Sequence, residues 1–312
     1  MTTVTAQGRP PTPSPRRRRR PLQSRWAYLL IGPAMVVFAV FNIGPTVFAF
    51  GISLFDWNYL NAARSKFVGL KNYVQLTDLE RDPSFLQTMG VSFYFVGAMV
   101  IGGTVLSLAL AMLMRRATKV MLAARASVFL AHVTPVVATS LVWIWIYNPR
   151  FGLANAVLHL FGLESIDWLG NRSTAMLSVI LYTLWHEVGF TMIVFVGGLA
   201  TISSELSEAA RVDGASPFRE FWYVTLPQLT GYVVFVVVIG SIASLHAFTQ
   251  FFMLTGGGPD FATATLGYQL YQQAFVFRKT GYGAALAVVL FAICVVLSLT
   301  QLRLSRHLNR TD

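Results

Sequence analysis

The chain has 312 residues, of which 55% are hydrophobic and only 12% are charged, and its formal net charge is +11. A soluble protein of this length cannot hide so much apolar surface from water, so the composition excludes a soluble globular protein and indicates one embedded in a membrane. The single cysteine, Cys294, excludes an internal disulfide, and the sequence shows no cluster of metal ligands.

Residues 1–25 form a polar tail rich in Pro, Ser, Thr and Arg, a composition typical of disorder. Arg16–Arg20 and Arg25 directly precede a long apolar stretch. Basic residues in this place orient the span and contact anionic lipid headgroups. We therefore predict a disordered basic tail that contacts membrane lipid, and no nucleic-acid binding.

The rest of the chain, residues 26–312, is predicted to form one transmembrane domain. About 20 helical residues cross the hydrocarbon core, and the stretches Trp26–Phe55, Pro83–Met114 and Thr280–Leu302 are at least that long and carry no charge. The fold class predicted is an all-α integral membrane protein with six transmembrane helices, at about 26–55, 85–114, 125–147, 176–200, 229–255 and 282–302.

Basic residues set the predicted orientation. Of the 24 Lys and Arg residues, 16 lie in the two tails and in the second and fourth loops. The positive-inside rule therefore predicts that the N- and C-termini and the loop 201–228 are cytoplasmic. The first loop lies on the other face and has the pattern of a short amphipathic helix near residues 70–79.

The loop 201–228 carries the signals of two short helices joined by a tight turn. Ser203 or Ser204 can cap the first helix, and Gly214 can end it. Ser216-Pro217 opens the second, which has an apolar side formed by Phe218, Phe221 and Trp222. Two interpretations fit these residues: an amphipathic hairpin that lies on lipid, and a rigid docking surface for a soluble partner.

The same loop resembles the EAA loop of ABC importer permeases. The resemblance rests on Glu208-Ala209-Ala210, on Gly214 and on the Val-x-Leu-Pro that ends at Pro227. The run EAARVDGASPF is close to the form of the sugar-type branch, that of the maltose and glycerol-phosphate permeases. Further stretches similar to that branch are Pro33 and Pro45, residues 67–73 and residues 254–259.

The resemblance implies a permease bundle in the bacterial inner (cytoplasmic) membrane that crosses it several times. It implies a second permease subunit, in that branch usually a different one, so that a heterodimer is expected. Two cytoplasmic ATPase subunits and an extracytoplasmic solute-binding protein complete the implied assembly. Its solute would be a carbohydrate or a related polyol.

In that family the loop couples the ATPase to the spans, a role that the resemblance carries over to Glu208, Ala209, Ala210, Asp213 and Gly214, with Pro227 closing the motif. The chain contains no phosphate-binding GxxxxGK[ST] sequence. We therefore expect no enzymatic activity in this chain and no cofactor or metal bound to it, with ATP used by the partner subunits.

Polar residues inside the predicted spans are candidates for the solute pathway, because charge within a span is costly and usually functional. His186 and Glu187 are adjacent in span four, and Tyr182 and Trp185 near them could stack on sugar rings. Thr249 and Gln250 in span five could bond to hydroxyls, although the family often has Asp where Thr249 stands. The alternative is structural, with these groups bonding to neighbouring helices or to their own helix.

Two other classes of protein compete with the importer. A secondary, ion-coupled transporter for a small polar solute would need acids near the midplane, where Glu187 is the one candidate. A membrane-embedded enzyme would need clustered His, Asp or Glu at a membrane face. The five histidines are scattered along the sequence instead, at positions 132, 159, 186, 246 and 307.

Overall fold

The computed structural model describes residues 21–58, 61–78, 80 and 83–308, and of residues 21–27, 62 and 304–308 the backbone alone. Most of the predicted tail, residues 1–20, lies outside the described residues. From Pro21 onward the chain is helical, so the first helix begins earlier than the predicted span. The described residues fall into two units, which divide between Phe48 and Ala49.

The first apolar stretch is helical throughout, with one irregularity next to a proline. Helix α1 (Pro21–Phe38) continues through a wider π-turn, Ala39–Ile43, into α2 (Gly44–Ile52). Pro45 has no N–H to donate to the preceding turn, which explains a widened turn at this place. The hydroxyl of Thr46 donates to the carbonyl of Asn42 at 2.7 Å in this turn.

A short polar connection follows α2. Strands β1 (Phe55–Asp56) and β2 (Lys66–Phe67) pair antiparallel, with Phe55 opposite Phe67. Helix α3 (Lys71–Val74) runs into a 3₁₀ turn at Gln75–Thr77, which confirms the short helix predicted in this loop. The buried Asn72 amide donates to the carbonyls of Ser53 at 2.8 Å and Phe55 at 3.0 Å, so the connection is fixed to the end of α2.

The remaining helices build the larger unit. In chain order they are α4 (Phe85–Leu113), α5 (Lys119–Val133), α6 (Val136–Ile146), α7 (Leu153–Leu160), α8 (Ala175–Ala200), α9 (Ser204–Val212), α10 (Pro217–Glu220), α11 (Leu226–Gln228), α12 (Thr230–Leu245), α13 (Thr249–Leu254), α14 (Leu266–Tyr271) and α15 (Thr280–Leu308). Wider π-turns continue α10 at Phe221–Thr225 and α14 at Gln272–Val276.

Among the described residues, four helical segments are long and apolar enough to cross a membrane: Tyr28–Ile52, Phe85–Leu113, Ala175–Ala200 and Thr280–Arg303. Two bent pairs raise the number to six if each pair is one span: α5 with α6, at 102°, and Pro217–Gln228 with α12, at 69°. The six spans predicted from the sequence are the upper end of this range.

Two predicted spans are not continuous helices. The third, predicted over 125–147, breaks at Thr134–Pro135, where Thr134 is extended with ψ 143°. Proline lacks the N–H for the helix ladder and disfavours the helical conformation in the residue before it, which explains the break. The fifth, predicted over 229–255, is interrupted between the end of α12 at Leu245 and the start of α13 at Thr249.

The core of the larger unit lies where α4 and α8 pack on each other and on α12 and α13. Phe95 of α4 and Phe251 of α13 are fully buried edge to face, with ring centroids 4.8 Å apart. Helix α15 packs against α12 and α14. The bundle therefore holds α8, which carries most of the candidate pathway residues, on several sides.

Candidate functional site

The loop 201–228 folds as the helical hairpin that its sequence predicts. We call residues 203–220 the hairpin. Ser203 caps α9, its hydroxyl accepting from the Glu205 N–H at 3.2 Å, and Ser216 caps α10 by accepting from the Arg219 N–H at 3.4 Å. Gly214 joins the two helices with φ +78°, a conformation that favours glycine. Both capping predictions and the glycine turn are confirmed.

An ion pair connects the two helices of the hairpin. The Arg211 guanidinium on α9 donates to both oxygens of Glu220 on α10, at 3.1 Å and 3.3 Å. Glu220 is buried, and its pKa is lowered chiefly by this bond from Arg211, with Arg115 at the end of α4 adding to the effect. Such two-point pairing fixes both distance and angle, so the hairpin is a stiff body.

Most of the motif residues are exposed to solvent. Glu208 and Ala209 are exposed near the end of α9, and Asp213 and Gly214 are exposed in the turn. Ala210 is half-buried, and Pro227, also exposed, lies farther along in α11. The side chains of Val212, Phe218, Trp222 and Tyr223 in and after the hairpin are also exposed and apolar.

The other predicted site lies at the Thr134–Pro135 break. On one side of the break the Nε2 atom of His186 bonds to the Thr134 carbonyl at 3.1 Å. On the other side the Tyr182 hydroxyl donates to the Val136 carbonyl at 3.0 Å. Two side chains of α8, one turn apart, therefore satisfy carbonyls at the break.

The fold brings a second histidine to this place. We call His132, His186 and Glu187 the polar triad. The Nδ1 atom of His186 lies 3.0 Å from one oxygen of Glu187, and the Nδ1 atom of His132 lies 3.2 Å from the other. The two imidazole rings are 5.8 Å apart. His186 is buried, whereas the side chain of Glu187 is 41% exposed.

Close packing of α5 on α8 builds the triad. A side chain on Gly189 would begin 2.5 Å from the Val128 carbonyl oxygen, so only glycine allows this approach. His132 lies one turn beyond Val128, and His186 lies one turn before Gly189. The close crossing therefore brings the two histidines together although 53 residues separate them in sequence.

The six candidate pathway residues have different surroundings. Tyr182 is 1% exposed and closed to solvent, and its hydroxyl also bonds to Thr139 and Ser140. Trp185 is 40% exposed and lines an open cleft with Thr134 and Thr139. Glu187 and Gln250 line a separate cavity of about 100 Å³. Thr249, the first residue of α13, lines neither space.

The cavity next to Glu187 is mainly apolar, with a few polar groups. Thr183 and Glu187 of α8 face it together with Thr104 of α4, Ser244 of α12 and Gln250 of α13. The Thr104 hydroxyl is buried with no hydrogen-bond partner within the part of the chain that the structure describes. Few polar groups on apolar walls are typical of small-molecule sites.

Sequence reasoning missed His132, Arg211 and Glu220. Opposite charges on the two sides of the Gly214 turn were a signal for the Arg211–Glu220 pair, because a hairpin brings such residues together. His132 offered no comparable signal, since its neighbours lie on another helix.

A bundle of apolar helices with broken spans, a stiff external hairpin and a cavity among the helices defines a membrane transport permease. Comparison with known families specifies the class. Residues 103–310 match the family described as binding-protein-dependent transport system inner membrane component. The chain belongs to this family and is a sugar-type permease component of an ABC importer.

Alignments with similar proteins extend over nearly the whole chain. The probable ABC transporter permease protein YurN of Bacillus subtilis is 35% identical over 88% of this chain and 94% of its own length. The sulfoquinovosyl glycerol transport system permease protein SmoG of Agrobacterium fabrum is 31% identical, over 90% of each chain. The trehalose/maltose transport system permease protein MalF of Thermococcus litoralis is 29% identical over 91% of this chain and 95% of its own.

The fold has a counterpart among solved structures. A chain of a bacterial ABC transporter involved in the import of the acidic polysaccharide alginate superimposes with a TM-score of 0.78 over 92% of this chain and 96% of that chain, at 20% identity. At this identity the match supports the fold alone.

Proposed function

We propose that the chain couples to cytoplasmic ATPase subunits through the hairpin and forms half of the translocation pathway for a carbohydrate or related polyol. The observation that carries the proposal is the stiff hairpin itself. Glu208, Ala209, Asp213 and Gly214 of its motif are exposed, while the Arg211–Glu220 pair fixes its two helices.

The physical argument for coupling is mechanical. A flexible loop would not transmit the movement of an ATPase that closes on ATP. A hairpin whose helices are held together by an ion pair can pass this movement to the helices that precede and follow it. Here α9 follows directly on α8, and α10 leads through α11 into α12. A displacement of the hairpin therefore reaches α8 and α12, two of the helices that line the cavity near Glu187.

The proposed solute follows from the relatives and the cavity. The relatives are named as permeases for sulfoquinovosyl glycerol and for trehalose and maltose, all carbohydrates or their derivatives. Thr183, Glu187 and Gln250 supply the donors and acceptors that hydroxyl groups need. Trp185 presents an exposed ring on which a sugar could stack. Tyr182 and His186 bond to backbone carbonyls at the nearby Thr134–Pro135 break.

The rest of the assembly follows from family membership. A second permease subunit, in our proposal a different chain, would complete the pathway, and a solute-binding protein would deliver the solute from outside. Two ATPase subunits would bind below and use ATP, which this chain is not proposed to bind or hydrolyse. The distribution of basic residues favours a cytoplasmic hairpin in the inner membrane of a bacterium.

The test replaces Gly214 by valine in the transporter co-purified with its ATPase. A β-branched residue at φ +78° costs about 1–2 kcal/mol and deforms the turn. We expect a large loss of solute-stimulated ATP hydrolysis and of transport in vesicles. If both stay at wild-type levels, the hairpin does not couple and the proposal fails.

Gly162 provides a matched control. It ends α7 with φ +71°, and the same two backbone hydrogen bonds close its turn as close the Gly214 turn. The substitution Gly162→Val imposes the same local strain outside the hairpin. It should leave ATPase stimulation unchanged, so a loss seen in both variants would indicate general damage to the fold.

A further inference from the structure

The three nitrogen and oxygen atoms of the polar triad face one another. The potential ligand atoms of His132, His186 and Glu187 all lie within 4.8 Å of one another. In a tetrahedral zinc site, bonds of about 2.0–2.2 Å place ligand atoms roughly 3.4 Å apart. The distances of 3.0 Å and 3.2 Å join the two Nδ1 atoms to the two different oxygens of Glu187, so a tetrahedral site requires the two imidazoles to move closer together around one ion.

The hydrogen bond of His186 determines which nitrogen is free. The Thr134 carbonyl can only accept, so Nε2 of His186 carries the proton at this 3.1 Å contact. In the neutral ring Nδ1 then has a lone pair, and it points at a carboxylate oxygen that also has lone pairs. An N–H bonded to a backbone carbonyl is the outer contact that metal-binding histidines usually have.

His132 faces the other oxygen of the same carboxylate. Its Nδ1 atom is buried, has no hydrogen-bond partner among the residues that the structure describes, and lies 3.2 Å from the second Glu187 oxygen. Phe190 stacks on the ring, with centroids 5.3 Å apart, and fixes its orientation. Two ring nitrogens therefore face the two oxygens of one carboxylate, an arrangement that positive charge between them would stabilise.

We propose that His132, His186 and Glu187 form a binding site for a transition-metal dication of the Zn²⁺ class. Two imidazoles and one carboxylate are the ligands that zinc prefers, and they do not suit Mg²⁺ or Ca²⁺, which require more oxygen ligands. One dication would supply the positive charge between Glu187 and the two imidazoles that would otherwise require a proton on each Nδ1 atom. Glu187 also lines the cavity of about 100 Å³, so a bound ion would leave a fourth position for water or solute on that side.

The site joins the break between α5 and α6 to α8. A bound ion fixes His132, two residues before Thr134, to two consecutive residues of α8. It therefore stiffens the broken span where α5 and α6 meet the pathway helix, and we expect Zn²⁺ to slow transport reversibly. This inference goes beyond the proposed function, because binding requires the triad alone and not the hairpin.

The test is metal binding to the full-length chain, purified with its partners on a tag without histidine and stripped with a chelator. Zn²⁺ is titrated in competition with a chromophoric chelator, and Co²⁺ is titrated while its visible absorption reports nitrogen ligands. We expect one ion per chain. The variants H132Q and E187Q should each lower the affinity by about tenfold or more, as loss of a ligand contact does.

His159 is the control, since it is exposed and bonds to Ser165 outside the triad. The variant H159Q should bind Zn²⁺ like the wild type. Equal affinity of the wild type and both triad variants, or an equal loss in H159Q, would overturn the proposal. If Zn²⁺ binds and the triad variants weaken that binding, the metal site is supported even if the Gly214 experiment disproves coupling. The two proposals can therefore be refuted independently.

Discussion

The hairpin and the polar triad both rely on a buried or half-buried carboxylate with cationic or imidazole partners, yet they are assembled by different routes. Arg211 and Glu220 are nine residues apart, and a single turn brings them together. In the triad, His132 lies on α5, and His186 and Glu187 lie on α8. Local turn chemistry therefore decides the first site, and close packing of two long helices decides the second.

Because the two sites are assembled in different ways, different substitutions should disrupt them. A change in the turn or its caps should disturb the hairpin and leave the triad intact. A change at the α5–α8 contact should disturb the triad and leave the hairpin intact. Each of the following variants tests whether the two regions are independent in this way.

The largest effect is expected for Gly189→Ala. The added methyl group would begin 2.5 Å from the Val128 carbonyl and 2.8 Å from the Phe129 Cα, both backbone atoms that cannot give way easily. Overpacking of this kind costs about 1–3 kcal/mol. We expect a lower midpoint of thermal unfolding in detergent and loss of Zn²⁺ binding, with unchanged hydrogen exchange in the hairpin.

Gly197→Ala is the matched control on the same helix, because a methyl group there meets nothing within 4 Å. It should be neutral or slightly stabilising, as glycine in a helix interior is unfavourable relative to alanine. Equal destabilisation by the two substitutions would show that close packing at Gly189 does not hold α5 on α8.

Arg211→Ala should have an intermediate effect that is confined to the hairpin. Glu220 would remain buried without its bidentate partner, so the two helices would no longer be held at a fixed angle. We expect a few-fold loss of solute-stimulated ATP hydrolysis and faster hydrogen exchange over residues 204–220. Arg219→Ala removes an exposed cation from the same hairpin and should not change that exchange.

The same ion pair predicts a pH dependence. Because Arg211 lowers the pKa of Glu220 in the folded state, the pair stabilises the hairpin fully above the ordinary carboxyl pKa of about 4.3. This stability is lost as the pH falls through the lowered pKa. The protection factor of the hairpin amides, which corrects for the pH dependence of intrinsic exchange, should fall on acidification in the wild type and change less in Arg211→Ala. Identical pH profiles would contradict the role given to the pair.

The smallest effect is expected for Ser216→Ala. The Ser216 hydroxyl accepts from the Arg219 N–H and caps α10, and loss of such a cap costs about 1 kcal/mol. Exchange of the amides in α10 should become roughly fivefold faster, with no change in the triad. Ser204→Ala, within the first turn of α9, removes a hydroxyl that is not the cap and should leave α10 unaffected.

The comparison also shows how far sequence reasoning reached. The capping serines, the glycine turn and the number of spans follow from signals between near neighbours and from the length of apolar stretches. The 102° bend at Thr134–Pro135 was signalled by the proline, but its size and partners were not. Tyr182 and His186 contribute to this bend by bonding to carbonyls on another helix.

By itself, the sequence determined the membrane class, the long apolar helices and the hairpin with its EAA motif. Each depends on hydropathy, on charge position or on hydrogen bonds within a few residues. Tertiary structure alone decided that His132 meets His186 and Glu187, that Tyr182 is closed to solvent while Trp185 is open, and that Glu187 and Gln250 share a cavity. These relations depend on how separate helices pack, and an apolar helix carries little local information about which neighbour its few polar groups will face.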